Sequence, residues 1–176
     1  MTNLLTPLGN NQDLSSAFVN TAIDNMRSVK FLAADLTVNN NALVAGAAEL
    51  ALPVAANGKY VLNSCIFYDT PAAVDFQVAV FYPSGPAWIT FWNSGTGITT
   101  GSNSLDLSVQ VGTNGDALAA DCGGVAAGTV LAVRPAGYLE ISTASGLVSI
   151  GYAQVTPTAT NSYLRQGSWL SLTRVG

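Results

Sequence analysis

Two stretches decide the fold of this chain: Val74-Asp75-Phe76-Gln77-Val78-Ala79-Val80 and Leu105-Asp106-Leu107-Ser108-Val109-Gln110-Val111. In both, apolar and polar residues alternate, which is the period of a β-strand with one buried face. Seven further runs have the composition of strands: 31–38, 59–68, 87–92, 129–133, 138–143, 147–155 and 169–175. Because turn residues separate these runs and no helical period lies between them, the sequence predicts an all-β sandwich or barrel of about eight to nine strands.

The low charge of the chain predicts an assembly. Charged residues make up 9% of the 176 residues and hydrophobic residues 49%, whereas a soluble domain has about 25% charged residues. So few charges cannot cover the surface of a monomer, and a neutral surface is typical of a protein that packs against others.

Several strands are apolar on both faces, which indicates contacts between subunits. In the run 60–68, Tyr60, Leu62, Ile66 and Tyr68 share one face, while Val61, Cys65 and Phe67 share the other. A sheet with one wet face would carry polar residues at alternate positions. We predict intersubunit packing for seven aromatic side chains: Tyr60, Phe67, Tyr68, Trp88, Trp92, Tyr152 and Trp169. The alternatives for the tryptophans are packing in the core and a platform that binds sugars.

Residues 1–28 differ from the rest and are predicted to be an attachment arm, followed by the β domain at 29–176. Asp13 is a candidate N-cap for a short helix from Leu14 to Met26. A short amphipathic helix is marginal by itself and needs a partner surface. The apolar residues predicted to make the attachment are Leu4, Leu5, Leu8, Leu14, Phe18, Ile23 and Met26.

Charge and hydropathy disfavour nucleic acid and membranes as partners. The net charge is −4, and the six basic residues are spread singly along the chain, whereas binding to phosphates needs clustered Lys and Arg. The apolar runs are far shorter than the ~20 residues of a membrane span. The N-terminus has no signal-peptide pattern, so synthesis in a cytoplasm is expected.

The residue types present disfavour catalysis, cofactors and metals. The chain contains no histidine, which excludes Ser-His-Asp and Cys-His sites and histidine-ligated metals. Cys65 is predicted in the core and Cys122 in a loop, and a bridge between them remains an alternative. Asn114, Asp116 and Asp121 form either a turn or a calcium loop. We therefore expect no enzyme, no catalytic residue, no cofactor and no metal, with paired carboxylates the one catalytic alternative left open.

A family resemblance is carried by two C-terminal segments, Gly146-Leu147-Val148-Ser149-Ile150-Gly151-Tyr152-Ala153-Gln154 and the run 161–175, which contains Gly167-Ser168-Trp169-Leu170 and ends in Arg174-Val175. They resemble bacteriophage virion proteins, in which a strand ending in Ala-Gln precedes a polar loop and a last strand. The segments 34–40 and 49–60 look like the opening of the same domain. Tyr152 departs from the pattern, which more often has Trp there.

The resemblance covers residues 31–176 and implies a jelly roll similar to the heads of tumour necrosis factor and C1q, usually a homotrimer. The role it implies is a structural protein on the virion surface. The leading expectation is a capsid decoration, or cement, protein that binds the major capsid protein or another virion protein through its arm. The alternative is a tail or head-fibre knob that binds a host receptor or glycan. A cellular C1q-like module and a hydrolase are weaker alternatives.

Overall fold

A computed structural model of the chain describes residues 27–93, 106–113 and 117–176. These residues form twelve β-strands and no helix. In chain order the strands are β1 (Arg27–Phe31), β2 (Leu36–Val38), β3 (Ala45–Val54), β4 (Lys59–Asp69), β5 (Phe76–Phe81), β6 (Ala87–Asn93), β7 (Asp106–Gly112), β8 (Leu118–Cys122), β9 (Leu131–Glu140), β10 (Gly146–Gln154), β11 (Ser162–Leu164) and β12 (Trp169–Arg174).

The strands form two sheets, and every pairing between the named strands is antiparallel. Eight strands make one sheet in the order β1-β12-β4-β9-β6-β7, with β11 beside β4 and β2 beside β11. The other four make a second sheet in the order β3-β10-β5-β8. The predicted all-β, antiparallel sandwich is confirmed, although the described residues hold twelve strands and not eight or nine.

The core lies between the sheets because the two-residue period of the strands buries one face of each. In β5, Phe76, Val78 and Val80 are fully buried. From the other sheet, the ring of Tyr68 stacks on that of Phe76, with the centroids 5.1 Å apart and the planes 7° apart. Each fully buried large apolar side chain stabilises the fold by about 1.5–3 kcal/mol.

Pro135-Ala136-Gly137 lies inside β9 and not in a turn. The single strand β9 therefore replaces the two strands predicted at 129–133 and 138–143. The register that pairs β9 with β4 skips Pro135, as expected for a residue without an N–H. The buried hydroxyl of Ser64 donates to the carbonyl oxygen of Pro135 at 2.7 Å. Because β4 and β6 flank β9 on both sides, their ladders keep the strand continuous through the proline.

The predicted strand 31–38 is two strands, β1 and β2, because the chain leaves the ladder at Leu32. There the backbone of Leu32 exchanges hydrogen bonds with Ser168 and Gly167, in the loop before β12. The side chain of Asp35 then accepts a hydrogen bond from the backbone N–H of Gln166 at 2.7 Å. These contacts turn the chain between the two strands.

Three strands have no clear signal in the sequence: β3, β8 and β11. The first two are rich in Ala, a poor strand former, and β11 has three residues. Cys122 was expected in a loop, but it ends β8, opposite Phe76, and is fully buried. Pairing with neighbouring strands forms these elements where local propensity does not.

The predicted arm lies almost wholly outside the described residues. The helix from Leu14 to Met26 and the seven predicted attachment residues all precede Arg27. The predicted boundary after residue 28 falls inside β1, since Arg27 and Ser28 pair with Thr173 and Leu172 of β12.

Candidate interaction surface

The β6–β7 hairpin directs its apolar side away from the core. Trp88 and Trp92 of β6 are 43% and 53% exposed, and Val109 and Val111 of β7 are 62% and 58% exposed. Gln110, between the two valines, pairs with the fully buried Ile89 and therefore points to the inner side. The alternation of β7 is thus reversed relative to a strand that buries its apolar face.

The rest of the eight-stranded sheet continues this apolar side, which we call the outer face. Residues opposite each other in an antiparallel pair point to the same face, so the registers identify its members. Its large apolar side chains are Val29, Phe31, Val61, Phe67, Trp88, Trp92, Val109, Val111, Tyr138 and Trp169. Across the strands, the face spans the five spacings from β1 to β7. Along β4 it spans the six residue steps from Val61 to Phe67. At the usual spacings of a sheet these lengths are roughly 24 Å and 20 Å.

Small and polar residues form a shallow depression in the middle of the outer face. It has a volume of about 370 Å³ and is lined by Asn63, Ser64, Trp92, Arg134 and Ala136. Trp92 and Arg134 lie directly opposite each other on β6 and β9. The guanidinium of Arg134 therefore lies in a partly polar depression that the apolar side chains of the outer face surround.

One margin of the outer face carries an exposed ion pair. The Lys59 ammonium lies 3.3 Å from the Glu140 carboxylate, to which the Tyr138 hydroxyl also donates a hydrogen bond at 2.9 Å. The hydrogen bond from Tyr138 and the pairing with Lys59 lower the pKa of Glu140. The ring of Tyr138 packs on that of Trp88, with centroids 5.8 Å apart.

Four of the seven side chains predicted for intersubunit packing lie on the outer face: Phe67, Trp88, Trp92 and Trp169. The prediction is wrong for Tyr60 and Tyr68, which are 6% and 0% exposed in the core of the single chain. Tyr152 is half-buried and packs on Phe76, with ring centroids 6.4 Å apart. All three tyrosines face the space between the sheets.

Sequence reasoning missed other members of the outer face, notably Val109, Val111, Val29 and Phe31. The alternation in 105–111 locates the strand but does not tell which face is covered. A signal for β1 was available, because Val29 and Phe31 alternate with Ser28 and Lys30. The predicted domain boundary after residue 28 divides this pattern.

A buried carboxylate ties the loops at one end of the sandwich together. Asp69 is 2% exposed and accepts hydrogen bonds from the Arg165 guanidinium at 2.5 Å and the Gly128 N–H at 3.0 Å. Arg165 also pairs with Asp35 at 2.6 Å and lies over the ring of Tyr163, 4.6 Å from its centroid. The hydrogen bond from the backbone of Gln166 and the pairing with Arg165 lower the pKa of Asp35. These contacts tie the loops that contain Asp35, Gly128 and Arg165 to the end of β4.

The two cysteines and one residue of the candidate calcium loop lie among the described residues. Cys65 and Cys122 are not joined by a disulfide, and burial raises the pKa of Cys65. Asn114 and Asp116 lie outside the described residues, while Asp121 accepts a hydrogen bond from the Gln77 amide at 2.7 Å. Over 27–93, 106–113 and 117–176, no three Cys, Asp or Glu side chains converge as metal ligands. The same ranges hold no helix that is long and apolar enough to cross a membrane.

No protein-family profile and no curated protein sequence matches the chain. Among solved structures, a chain from the structure of infectious bursal disease virus, Gx strain, aligns with 85% of this chain, with 11% sequence identity and a TM-score of 0.25. The alignment spans 36% of the length of that viral chain.

Proposed function

We propose that this chain is a non-enzymatic structural protein of a bacteriophage particle, and that it works as a homotrimer whose copies meet through the outer face. The observation that carries the proposal is the reversed alternation of β7, with Val109 and Val111 outward and Gln110 inward. Apolar residues turned outward lower the free energy when another surface covers them.

The size of the outer face supports an interface. Its projected area is roughly 500 Å² at usual sheet spacings, which is in the range where apolar patches mark interaction sites. Each partner in a standard protein interface buries about 800 Å², so the face supplies more than half of one side. Six of the eleven exposed large apolar side chains among the described residues lie here.

The strand order supports a jelly roll as the domain type. Without the β6–β7 hairpin and the short β2 and β11, one sheet runs β1-β12-β4-β9 and the other β3-β10-β5-β8. The two sheets then exchange strands at nearly every connection, as in the double Greek key of a jelly roll. This agrees with the resemblance to phage virion proteins carried by residues 146–154 and 161–175.

Within the virion, the role we propose is capsid decoration. A trimer with an attachment segment at residues 1–28 would bind the assembled shell at junctions between coat subunits. A ligand that binds the shell but not its separated subunits stabilises the shell by about 2.7 kcal/mol per site at a 100-fold excess over its dissociation constant. The major capsid protein is the partner that this mechanism needs.

A second candidate function, a knob that binds a host receptor, is favoured by the loops at the far end of the sandwich. β1 begins beside the turn between β3 and β4, whereas the loops after β2 and β8 lie at the opposite end of the sheets. Those loops expose Leu43 by 79%, Val125 by 41% and Val130 by 52%. If residues 1–28 attach to the particle, these loops point away from it.

The test uses the full chain and a variant with Leu14→Ser and Phe18→Ser in the arm. Light scattering should give both a mass about three times the 18.1 kDa of the chain. Added to particles that lack this protein, the full chain should sediment with them and raise the temperature at which they break open, and the arm variant should do neither. A monomeric full chain would overturn the trimer. Binding to host cells without any binding to shells would replace decoration with the receptor knob.

A further inference from the structure

Arg134 is an unpaired cation in the middle of the outer face. It lies on β9, with Cys65 of β4 on one side and Trp92 of β6 on the other. The described residues contain three ion pairs, which involve Lys59 and Arg165, and none involves Arg134. In the single chain the guanidinium is exposed to water, and it needs no anion.

The free-energy cost of leaving Arg134 without an anion rises when another surface covers the outer face. Removing an ion from water without a partner costs several kcal/mol, so a contact that takes Arg134 out of water is much stronger with an anion at that place. Among the described residues on this side of the sheet, the acidic ones are Glu140, which Lys59 already neutralises, and Asp69, which Arg165 already neutralises. The face therefore cannot supply the anion itself.

We propose that a carboxylate of a neighbouring copy pairs with Arg134 and fixes how the copies dock. This rests on the proposed function, since it assumes that copies of the chain cover the outer face. Charge complementarity supports a second copy as the occupant: the chain has ten acidic residues and six basic ones. Three of the acids, Asp35, Asp69 and Glu140, already have cations, which leaves seven.

The pairing also constrains the symmetry of the assembly. In a two-fold contact between two outer faces, each Arg134 would meet a surface with no carboxylate to spare. The neighbour must therefore present a different part of its surface, which makes the contact heterologous. Heterologous contacts close into a ring when the rotation between neighbouring copies closes, and a rotation of one third of a turn gives the proposed trimer.

The experiment measures the dissociation constant of the assembly for Arg134→Met, with Lys30→Met as the matched control. Lys30 is an exposed cation at the edge of the same sheet. We expect at least tenfold weaker association for Arg134→Met and less than a twofold change for Lys30→Met. Amide variants of the seven remaining acids follow, Asp to Asn and Glu to Gln. One should weaken association as Arg134→Met does, and combining it with Arg134→Met should weaken association no further.

The outcomes separate the two proposals. If the unaltered chain is a monomer, the proposed homotrimer fails. If it is an oligomer but Arg134→Met associates as tightly as the unaltered chain, or none of the seven amide variants is coupled to Arg134→Met, the pairing is wrong while the oligomer stands.

Discussion

The two sheets of the sandwich bury similar inner faces but have different outer faces. The eight-stranded sheet exposes Trp88, Trp92 and Phe31, whereas the four-stranded sheet exposes one large apolar side chain, Leu147, at 57%. Around Leu147 the outer side of the smaller sheet carries mainly Ala, Ser, Gly and Gln. A face of small and polar side chains is stable in contact with water, whereas an apolar face this wide is typical of an interaction site. The difference favours the larger sheet as the side that a neighbouring copy covers in the proposed assembly.

The largest expected effect comes from removing both tryptophans of the hairpin, Trp88→Ser with Trp92→Ser. Buried aromatic residues are the usual hot spots of interfaces, at about 2 kcal/mol or more each, so we expect association to weaken by roughly a thousandfold. Sedimentation equilibrium of the variant and of the control Leu147→Ser measures this. If both variants weaken association equally, the larger sheet is not the preferred side of the contact between copies.

A second variant separates folding from association. Arg165→Leu leaves the buried Asp69 without its cation, which costs about 3 kcal/mol of folding free energy, allowing for the partial exposure of Arg165. The melting temperature should fall by roughly 6–12 °C for a chain of this size. Arg174→Leu, at an exposed position, should change it little.

Below its lowered melting temperature, Arg165→Leu should keep the oligomeric mass, because the cluster lies at the end of β4, beyond Phe67 and at the margin of the apolar side chains. Loss of the oligomer without loss of stability would place the copy contact at that end.

The third effect tests the reversed strand. Val109→Thr with Val111→Thr keeps shape but adds hydroxyl groups to an interface, which should weaken association about tenfold, or by 1–2 kcal/mol. Folding stability, measured in the dissociated chain by urea denaturation, should change by less than about 0.5 kcal/mol. Val78→Thr, at a fully buried position of β5, should instead destabilise folding by about 1–3 kcal/mol.

If the β7 variant destabilises folding as much as Val78→Thr does, then the two valines lie inside the single chain, and the outer face loses the feature that identifies it.

The sequence predicts the sandwich well because side chains alternate between the two faces of a strand whichever strand lies beside it. It predicts the outer face less well, because alternation alone does not show which face of a strand is buried in the core. Tyr60 and Phe67 are an odd number of residues apart on one strand, so a prediction that includes both for one interface cannot hold in full. The structure resolves the choice through partner strands: Tyr60 lies opposite Leu139 and faces the core, and Phe67 lies opposite Ala132.

Arg134 was not singled out by sequence, since six dispersed cations offer no reason to prefer one. Its importance comes from its neighbours, Cys65 and Trp92, which are remote in sequence and join it only through the ladders of β4 and β6. Pro135 next to it misled the strand prediction for a similar reason, because the hydroxyl that donates to its carbonyl oxygen belongs to Ser64, which is remote in sequence.

The smallest effect maps the margin of the interface. The hydrogen bond from the Tyr138 hydroxyl, and the hydrogen bond and charge of the Lys59 ammonium, lower the pKa of the exposed Glu140 carboxyl. Tyr138→Phe and Lys59→Met should therefore each raise that pKa, as followed by the carboxyl carbon shift in NMR. The folded pKa is depressed, so the slight stabilisation is present above the unfolded pKa and is lost as pH falls through the folded one.

Comparing that titration in the assembled chain and in the dissociated chain that carries Trp88→Ser and Trp92→Ser gives the extent of the contact. An unchanged pKa of Glu140 places the ion pair in the solvated rim, where exposed pairs contribute little. A pKa that moves on assembly means that the neighbouring copy covers this margin as well. The contact then reaches beyond the apolar side chains, and Lys59 joins Arg134 as a cation that the neighbouring copy can pair.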